Sequence, residues 1–271
     1  MNFTNLRTWG GRAELGKAVS EKHLLTYGGE YFNDDSFNTD QNTTITTLRA
    51  PFPIDFICGP SGAIPFPFEC VFEDFDDVPN TPNAENTGSG IFIQDTFWVT
   101  NRLTAIFGAR WGRSETKAKP TPGTSQEIIN LADFSDDKLV GALNLTYAAT
   151  DTFHLVGSIA TAFRAPNIIE RLFNGPTPEG FGYQILNPDL QSEESLNFDV
   201  GIKYQDRRAF FEATYFENEI DNAIVQHVLT EQEFMALPPE LQEDIINSGF
   251  EGLVIQQRNA ETLTIKGVEA A

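Results

Sequence analysis

Leu196-Asn197-Phe198-Asp199-Val200-Gly201-Ile202-Lys203-Tyr204 sets an apolar side chain at every second position, with a polar or small one between. Side chains of an extended chain alternate faces, so Leu196, Phe198, Val200, Ile202 and Tyr204 share one wholly apolar face. Asn197, Asp199, Gly201 and Lys203 occupy the other. The same period recurs outward from this stretch. In 152–164, Phe153, Leu155, Ile159 and Phe163 share a face with Gly157 and Thr161, opposite His154, Ser158 and Arg164. Leu103, Ala105, Phe107, Ala109 and Trp111 oppose Thr104 and Arg110. Leu139, Leu143, Leu145 and Tyr147 oppose Asn144 and Thr146, and Phe211, Ala213 and Tyr215 oppose Glu212 and Thr214.

Read this way, the chain holds about nine or ten strands. They fall near residues 6–19, 24–36, 87–99, 103–119, 138–149, 152–166, 194–205, 209–228 and 252–271. Several reach the ~9–11 residues that a tilted membrane strand needs, beyond the ~5–6 usual in globular sheets. Connections alternate between short and long. Residues 20–23, 100–102, 150–151 and 206–208 are tight turns, whereas 37–86, 120–137, 167–193 and 229–250 are long loops, with a helical stretch over 231–246 despite Pro238 and Pro239. Short turns on one side and long loops on the other describe an outer-membrane barrel. Phe97, Trp98, Tyr147, Phe153 and Tyr204 sit at strand ends, where interfacial girdles belong. The fold class expected is therefore all-β: part of an antiparallel transmembrane β-barrel, with short periplasmic turns and long extracellular loops.

Composition narrows the function. Of 271 residues, 40% are hydrophobic, yet no apolar run reaches the ~18–20 residues of a spanning helix. A net charge of −21 repels phosphate backbones and argues against nucleic acid as a partner. Acidic groups cluster at Asp34, Asp35 and Asp40, at Glu73, Asp74, Asp76 and Asp77, and at Glu231, Glu233, Glu240, Glu243 and Asp244. They read as solvated loop charge, with a loop site for a divalent cation as the alternative. None has EF-hand spacing. His23, His154 and His227 lie far apart, and no catalytic or metal-ligating constellation stands out, so neither an enzyme nor a cofactor is expected. Cys58 and Cys70 share one Pro/Gly-rich segment without a nearby His, which favours a disulfide and an oxidising compartment. The first residues lack a basic and apolar leader, which for an outer-membrane protein suggests that the true start is missing.

Residues 163–204 carry more specific text. Phe163-Arg164-Ala165-Pro166 is followed, one loop later, by Asn187-Pro188-Asp189-Leu190, then Glu193 and the strand quoted above. This pairing resembles the barrel of TonB-dependent receptors, as do Gly90-Ile91-Phe92-Ile93-Gln94-Asp95, Leu103 to Trp111, and Ile265-Lys266-Gly267-Val268-Glu269. Pro166 cannot donate to a ladder and ends pairing at the rim, and Asn187-Pro188 favours a turn before the next strand. Arg164 and Glu193 read as charges of a wet rim rather than ligand contacts.

The resemblance implies a 22-stranded barrel, plugged by an N-terminal domain, in the outer membrane of a Gram-negative bacterium. It would take up a scarce nutrient, such as a ferric siderophore or a cobalamin-like ligand, using energy delivered by TonB. Residues 1–271 are then expected to be a partial barrel domain with the plug absent, in contact with outer-membrane lipid, and reaching TonB through that missing plug. Receptors for haem often carry a His between the two motifs; residues 167–186 contain none, which counts against haem. Phe173, Phe181 and Tyr183 are candidate ligand contacts, with loop packing as the alternative. A passive porin-like channel, or a secreted β-sandwich binding module, are the rival readings.

Overall fold

The computed structural model describes residues 2–40, 42–50, 68–76, 79–177, 182–247 and 252–271. Nine strands form one antiparallel sheet in sequence order: β1 (Asn2–Ser20), β2 (His23–Asp40), β5 (Ala84–Trp98), β6 (Leu103–Ala118), β7 (Phe134–Ala148), β8 (Phe153–Arg164), β11 (Glu193–Gln205), β12 (Phe210–Asp221) and β15 (Thr262–Ala270). The hairpin β3 (Asn42–Ala50) and β4 (Phe68–Asp76) stands apart. So does a four-stranded sheet ordered β13 (Ile224–Val228), β14 (Leu253–Asn259), β10 (Gly182–Ile185) and β9 (Gly175–Pro176). The large sheet is not closed: it is a partial wall, with β1 and β15 as its edges. Its strands, up to 19 residues long, follow one another as an up-and-down meander, which rules out a β-sandwich.

One face of the wall is apolar and open. Leu139 is 75% exposed, Val200 48% and Val268 71%, with Leu155, Ile159, Leu196 and Phe198 beside them. A soluble sheet would bury such a face; a lipid-facing one leaves it bare. The other face is tied by polar bonds. Arg110 donates to Glu30 at 2.7 Å, Ser158 to Asp199 at 2.7 Å, and Lys203 pairs with Glu212 at 2.9 Å. Gly201 alternates with Asp199 and Lys203 on this inner face, and a Cβ there would lie 2.6 Å from Thr214 Oγ1 and 2.7 Å from the Ala213 carbonyl of the adjacent strand.

The tight turns share one device. Thr100 Oγ1 accepts from the N–H groups of Arg102 and Leu103, and Thr150 Oγ1 from those of Thr152 and Phe153. Asp206 Oδ1 accepts from Arg208 and Ala209 at 2.6 and 2.7 Å. A short side chain that satisfies the turn's own amides lets the chain reverse within a few residues. Asp206 is held below the usual carboxylate range chiefly by the Arg208 N–H, then by the Tyr204 hydroxyl and the Ala209 N–H.

The structure departs from the sequence reading at several places. The stretches 209–228 and 252–271 each split in two: Asn222 adopts φ 55°, and Asn222 N–H and Ala260 N–H bond to the carbonyls of Glu261 and Ala223 across the break. Residues 231–246 form two helices, α3 (Glu231–Met235) and α4 (Pro239–Asn247). Proline starts a helix well but cannot continue one, so Pro238-Pro239 separates them. Finally, Phe163 does not lie with Leu155 and Ile159. The pairing of β7 with β8 ends at Ala142–Ala160, Thr161 Oγ1 takes the Gly141 N–H, and the Phe163 ring rests against Gly112 beside Arg110, on the inner side. Asp34 and Asp35 lie within β2, where Asp35 pairs with Lys119 at 2.8 Å. The expected Cys58–Cys70 bridge falls outside the described residues: Cys58 is not among them, and only the backbone of Cys70 is.

Candidate ligand-binding cavity

Above the rim, on the side away from the tight turns, the long loops build a second layer. The chain of β12 bends at Asn222 and returns through β14, carrying β13 and β14 inward as a hairpin. There β14 meets β10 in parallel, and β10 meets β9. Two loops from different parts of the wall are thus joined by backbone hydrogen bonds into one small sheet.

Its two faces have different tasks. On one, Tyr183 and Ile185 pack with Ile245, surrounded by Leu229, Phe234, Leu237, Leu241 and Val254. Helix α3 is fixed on this side by a capping box: Thr230 Oγ1 accepts from Glu233 N–H, and Glu233 accepts from Thr230 N–H. The same Glu233 carboxylate meets Arg258 at 2.6 Å and His227 at 3.1 Å. The Thr230 N–H, Arg258 and His227, in that order, hold Glu233 far below the usual carboxylate range.

The opposite face carries Gly182, Gln184, Gln226, Val228, Leu253 and Ile255, and it roofs a cavity of about 700 Å³. Ile169, Phe173 and Thr177 close one side, and Thr4, Asn38 and Pro79 to Thr81 close another. These walls are cross-linked. Asn174 N–H donates to the Asn80 carbonyl at 2.8 Å, Asn38 N–H to Asn83 Oδ1 at 2.6 Å, and Thr4 Oγ1 to Asn38 Oδ1 at 2.9 Å. Gln184 Nε2 donates to the Ile169 carbonyl at 3.3 Å. The volume suits a small organic molecule or chelate. No described residue lining it carries a charge.

The motif residues brace this layer rather than line it. Arg164, at the end of β8, bonds Glu193 at 2.6 Å and Glu170 at 2.9 Å. Glu193 in turn accepts the Ile224 N–H, so one ionic node joins the wall, β13 and helix α2 (Ile168–Leu172). Asn167 caps α2 in a second capping box with Glu170. Asn187 Nδ2 donates to the Gln257 carbonyl at 2.8 Å, Pro188 supplies its carbonyl to Arg171, and Pro166 and Leu190 are buried. Phe173 lines the cavity, whereas Tyr183 packs on the helical face; Phe181 lies outside the described residues.

Sequence reading passed over Arg171, which is only 3% exposed. Its guanidinium donates to the carbonyls of Leu131, Ala132 and Pro188 and sits 4.8 Å from the Phe134 ring centre. Burial lowers its affinity for the proton, but a guanidinium stays charged regardless. It ties helix α1 (Gln126–Leu131) and the Asn187-Pro188 turn to α2. An Arg between Glu170 and Leu172 in a short helical stretch carries no motif that announces such a role. No group of His, Cys, Asp and Glu suited to a metal occurs among the described residues.

Comparison with known proteins agrees with this architecture. Residues 1–271 match the family described as TonB dependent receptor-like, beta-barrel. A probable TonB-dependent siderophore receptor, PirA of Acinetobacter baumannii, is 27% identical over 169 residues, covering 55% of this chain and 21% of that protein. The ferric enterobactin receptor PirA of Pseudomonas aeruginosa is 25% identical over 235 residues, covering 77% and 30%. The chain thus spans less than a third of the length of these relatives. Among solved structures, the copper transporter OprC superposes with a TM-score of 0.65 at 16% identity, over 99% of this chain and 35% of that one. The FrpB iron transporter from Neisseria meningitidis gives 0.60 at 16% identity, over 99% and 33%. At such identities the likeness speaks for the fold alone. Taken with the family match over its whole length, the chain belongs to the β-barrel family of TonB-dependent receptors, proteins of the Gram-negative outer membrane.

Proposed function

We propose that this chain is barrel wall and extracellular loop layer of a receptor that takes up a ferric chelate across the outer membrane. The observation that carries the reading is the cavity roofed by β10, β13 and β14 at the end of the wall away from the tight turns. Two curated relatives, one named as a probable siderophore receptor and one as a ferric enterobactin receptor, support iron as the cargo. In this reading the wall works with a plug domain inside the barrel, and TonB acts through that plug. The loop layer captures the chelate, and the polar inner face with its Arg110–Glu30 and Ser158–Asp199 bonds forms the wet side of the path.

The test is uptake of radiolabelled ferric chelates by iron-starved cells with and without the gene, each with and without TonB. Uptake that needs both the gene and TonB is expected. Uptake that needs the gene but not TonB would favour a passive channel, and uptake indifferent to the gene would overturn the reading.

A further inference from the structure

The lipid-facing side of the wall is not evenly covered. Register sets Gly11, Tyr31, Ser89 and Arg113 in one row across β1, β2, β5 and β6, and Ala13, Gly29, Ile91 and Trp111 in the next. Alternation puts both rows on the outer face, the second one continuing into Leu139. A groove of about 520 Å³ opens over Gly11, Ala13, Gly29 and Ser89, with Tyr31, Ile91 and Trp111 as its sides. Beneath it, Arg12 and Glu30 turn their side chains to the inner face, over the Phe92 ring at 4.8 Å and against Arg110 at 2.7 Å. The sides of the groove are braced. Tyr31 packs on Trp9 with 5.1 Å between ring centres, and Trp111 Nε1 donates to Asp137 Oδ2 at 3.0 Å.

The level of the groove in the membrane indicates what fills it. Gly29 stands six positions after His23, and Arg113 ten after Leu103, the first residues of their strands on the side of the tight turns. At ~3.4 Å per residue and a tilt of ~45°, these are about 14 and 24 Å along the membrane normal. The groove thus occupies the outer half of an apolar band ~25 Å tall, and Arg113 stands at the upper edge. Trp9, Tyr31 and Trp111 mark the same approach to the interface. The Arg113 side chain is 42% exposed, and its ion pair with Glu115 is long, at 3.7 Å. Glu115 is held more closely by Lys117, at 2.6 Å. A cleft left by one absent side chain is roughly 7 Å wide. That admits an extended hydrocarbon chain but not a helix of ~10–12 Å diameter.

We propose that this groove holds one acyl chain of an outer-leaflet lipid whose phosphate is bound by the Arg113 guanidinium. Lipid tails are as apolar as the wall, so packing and headgroup charge decide which lipid stays. A chain in the groove gains van der Waals contact on three sides, where the flat wall offers one. The planar fork of Arg113 matches the oxygens of a phosphate. The site lies on the opposite side of the wall from the wet path, and it stands whatever cargo the receptor carries.

The experiment places a photoreactive diazirine amino acid in the receptor expressed from its native gene in living cells fed with phosphorus-32 phosphate. One position is Ile91, at the side of the groove. The control is Phe198, which shares the lipid face and stands as many residues from the turn-side end of its strand. After irradiation, the receptor is purified under denaturing conditions and its lipid-bound phosphorus counted. Position 91 is expected to carry about fivefold more than position 198, the weight of one cation at a lipid surface. Arg113→Gln should remove most of that excess, and Ser89→Leu, which fills the groove, all of it. Gly29→Val fills the groove from the neighbouring strand should Ser89→Leu fail to assemble. Equal labelling at the two positions overturns the proposal, as does an excess that survives filling of the groove. An excess indifferent to Arg113→Gln overturns the assignment of the phosphate. Cross-linking of position 91 to a protein in place of lipid would make this face a protein interface and overturn the proposal outright.

Discussion

Val200→Arg tests the lipid-facing assignment of the outer face. Val200 stands five positions before Gln205, the last residue of its strand on the side of a tight turn. At ~3.4 Å per residue and a tilt of ~45°, that distance is about 12 Å along the membrane normal. The apolar band of such a barrel is ~25 Å tall, so Val200 lies near its middle. Its neighbours in register are Gly157 and Tyr215, neither of which offers an acidic partner. An arginine there costs about 2–4 kcal/mol, or roughly a thirtyfold or greater loss in the folding equilibrium. Lys203→Ala is the control, one face round and nearer the turn. It removes an ion pair with Glu212 whose partners are 45% and 32% exposed. Such a pair is worth less than about 1 kcal/mol. Heat-modifiable gel mobility and urea extraction of outer membranes report the folded fraction. The first variant should lose most of it and the second almost none. Equal losses would refute the assignment of faces, and the reverse order would invert it.

Three further outcomes follow from the loop layer. Arg171→Met strands three carbonyls, so it should destabilise that layer by about 1–3 kcal/mol, seen as faster hydrogen exchange over residues 126–134 and 187–190; unchanged exchange there would remove Arg171 as the tie. Asn222→Val forces a β-branched residue into a left-handed backbone at a cost of about 1–2 kcal/mol, whereas Asn222→Gly should be tolerated; equal exchange of β13 and β14 in both variants would count against the bend. Glu233 has a folded pKa below its unfolded value, so its stabilisation is complete above about pH 4.3 and fades as pH falls from there toward the folded value. Protection of β13 and α3 should weaken across that acid range, and Glu233→Gln should flatten the dependence; an unchanged acid profile in that variant would exclude the carboxylate as its source.

The wall was legible because lipid on one side and a wet interior on the other impose a strict period of two. Leu196 to Tyr204 shows that period without interruption, and the four tight turns follow from residues such as Thr100, Thr150 and Asp206. Above the membrane the constraint lapses. Phe134-Ser135-Asp136-Asp137 extends β7 with polar residues on both faces, so alternation gives no sign of it. The same loss hid the roof: Gly182 to Ile185 reads as loop, and Ile224 to Val228 reads as more of β12. The turn residues Asp221-Asn222 held the available clue to the break. The motif pair was visible from Phe163 to Glu193, but its purpose emerges only where Arg164 meets Glu170, and Glu193 meets Ile224. That Glu233, His227 and Arg258 stand away from the cavity depends on which face of the β13–β14 hairpin they occupy, and pairing between distant loops decides that.

The most direct test of the central claim is the sidedness of the two ends of the wall in living cells. An epitope inserted between Pro122 and Gly123, in the exposed turn before α1, should bind antibody on intact cells. The same epitope between Asp151 and Thr152, in the turn joining β7 and β8, should bind only after the outer membrane is permeabilised. Both epitopes hidden in intact cells, or the opposite pattern, would contradict an outer-membrane wall that presents its loop layer and cavity to the outside.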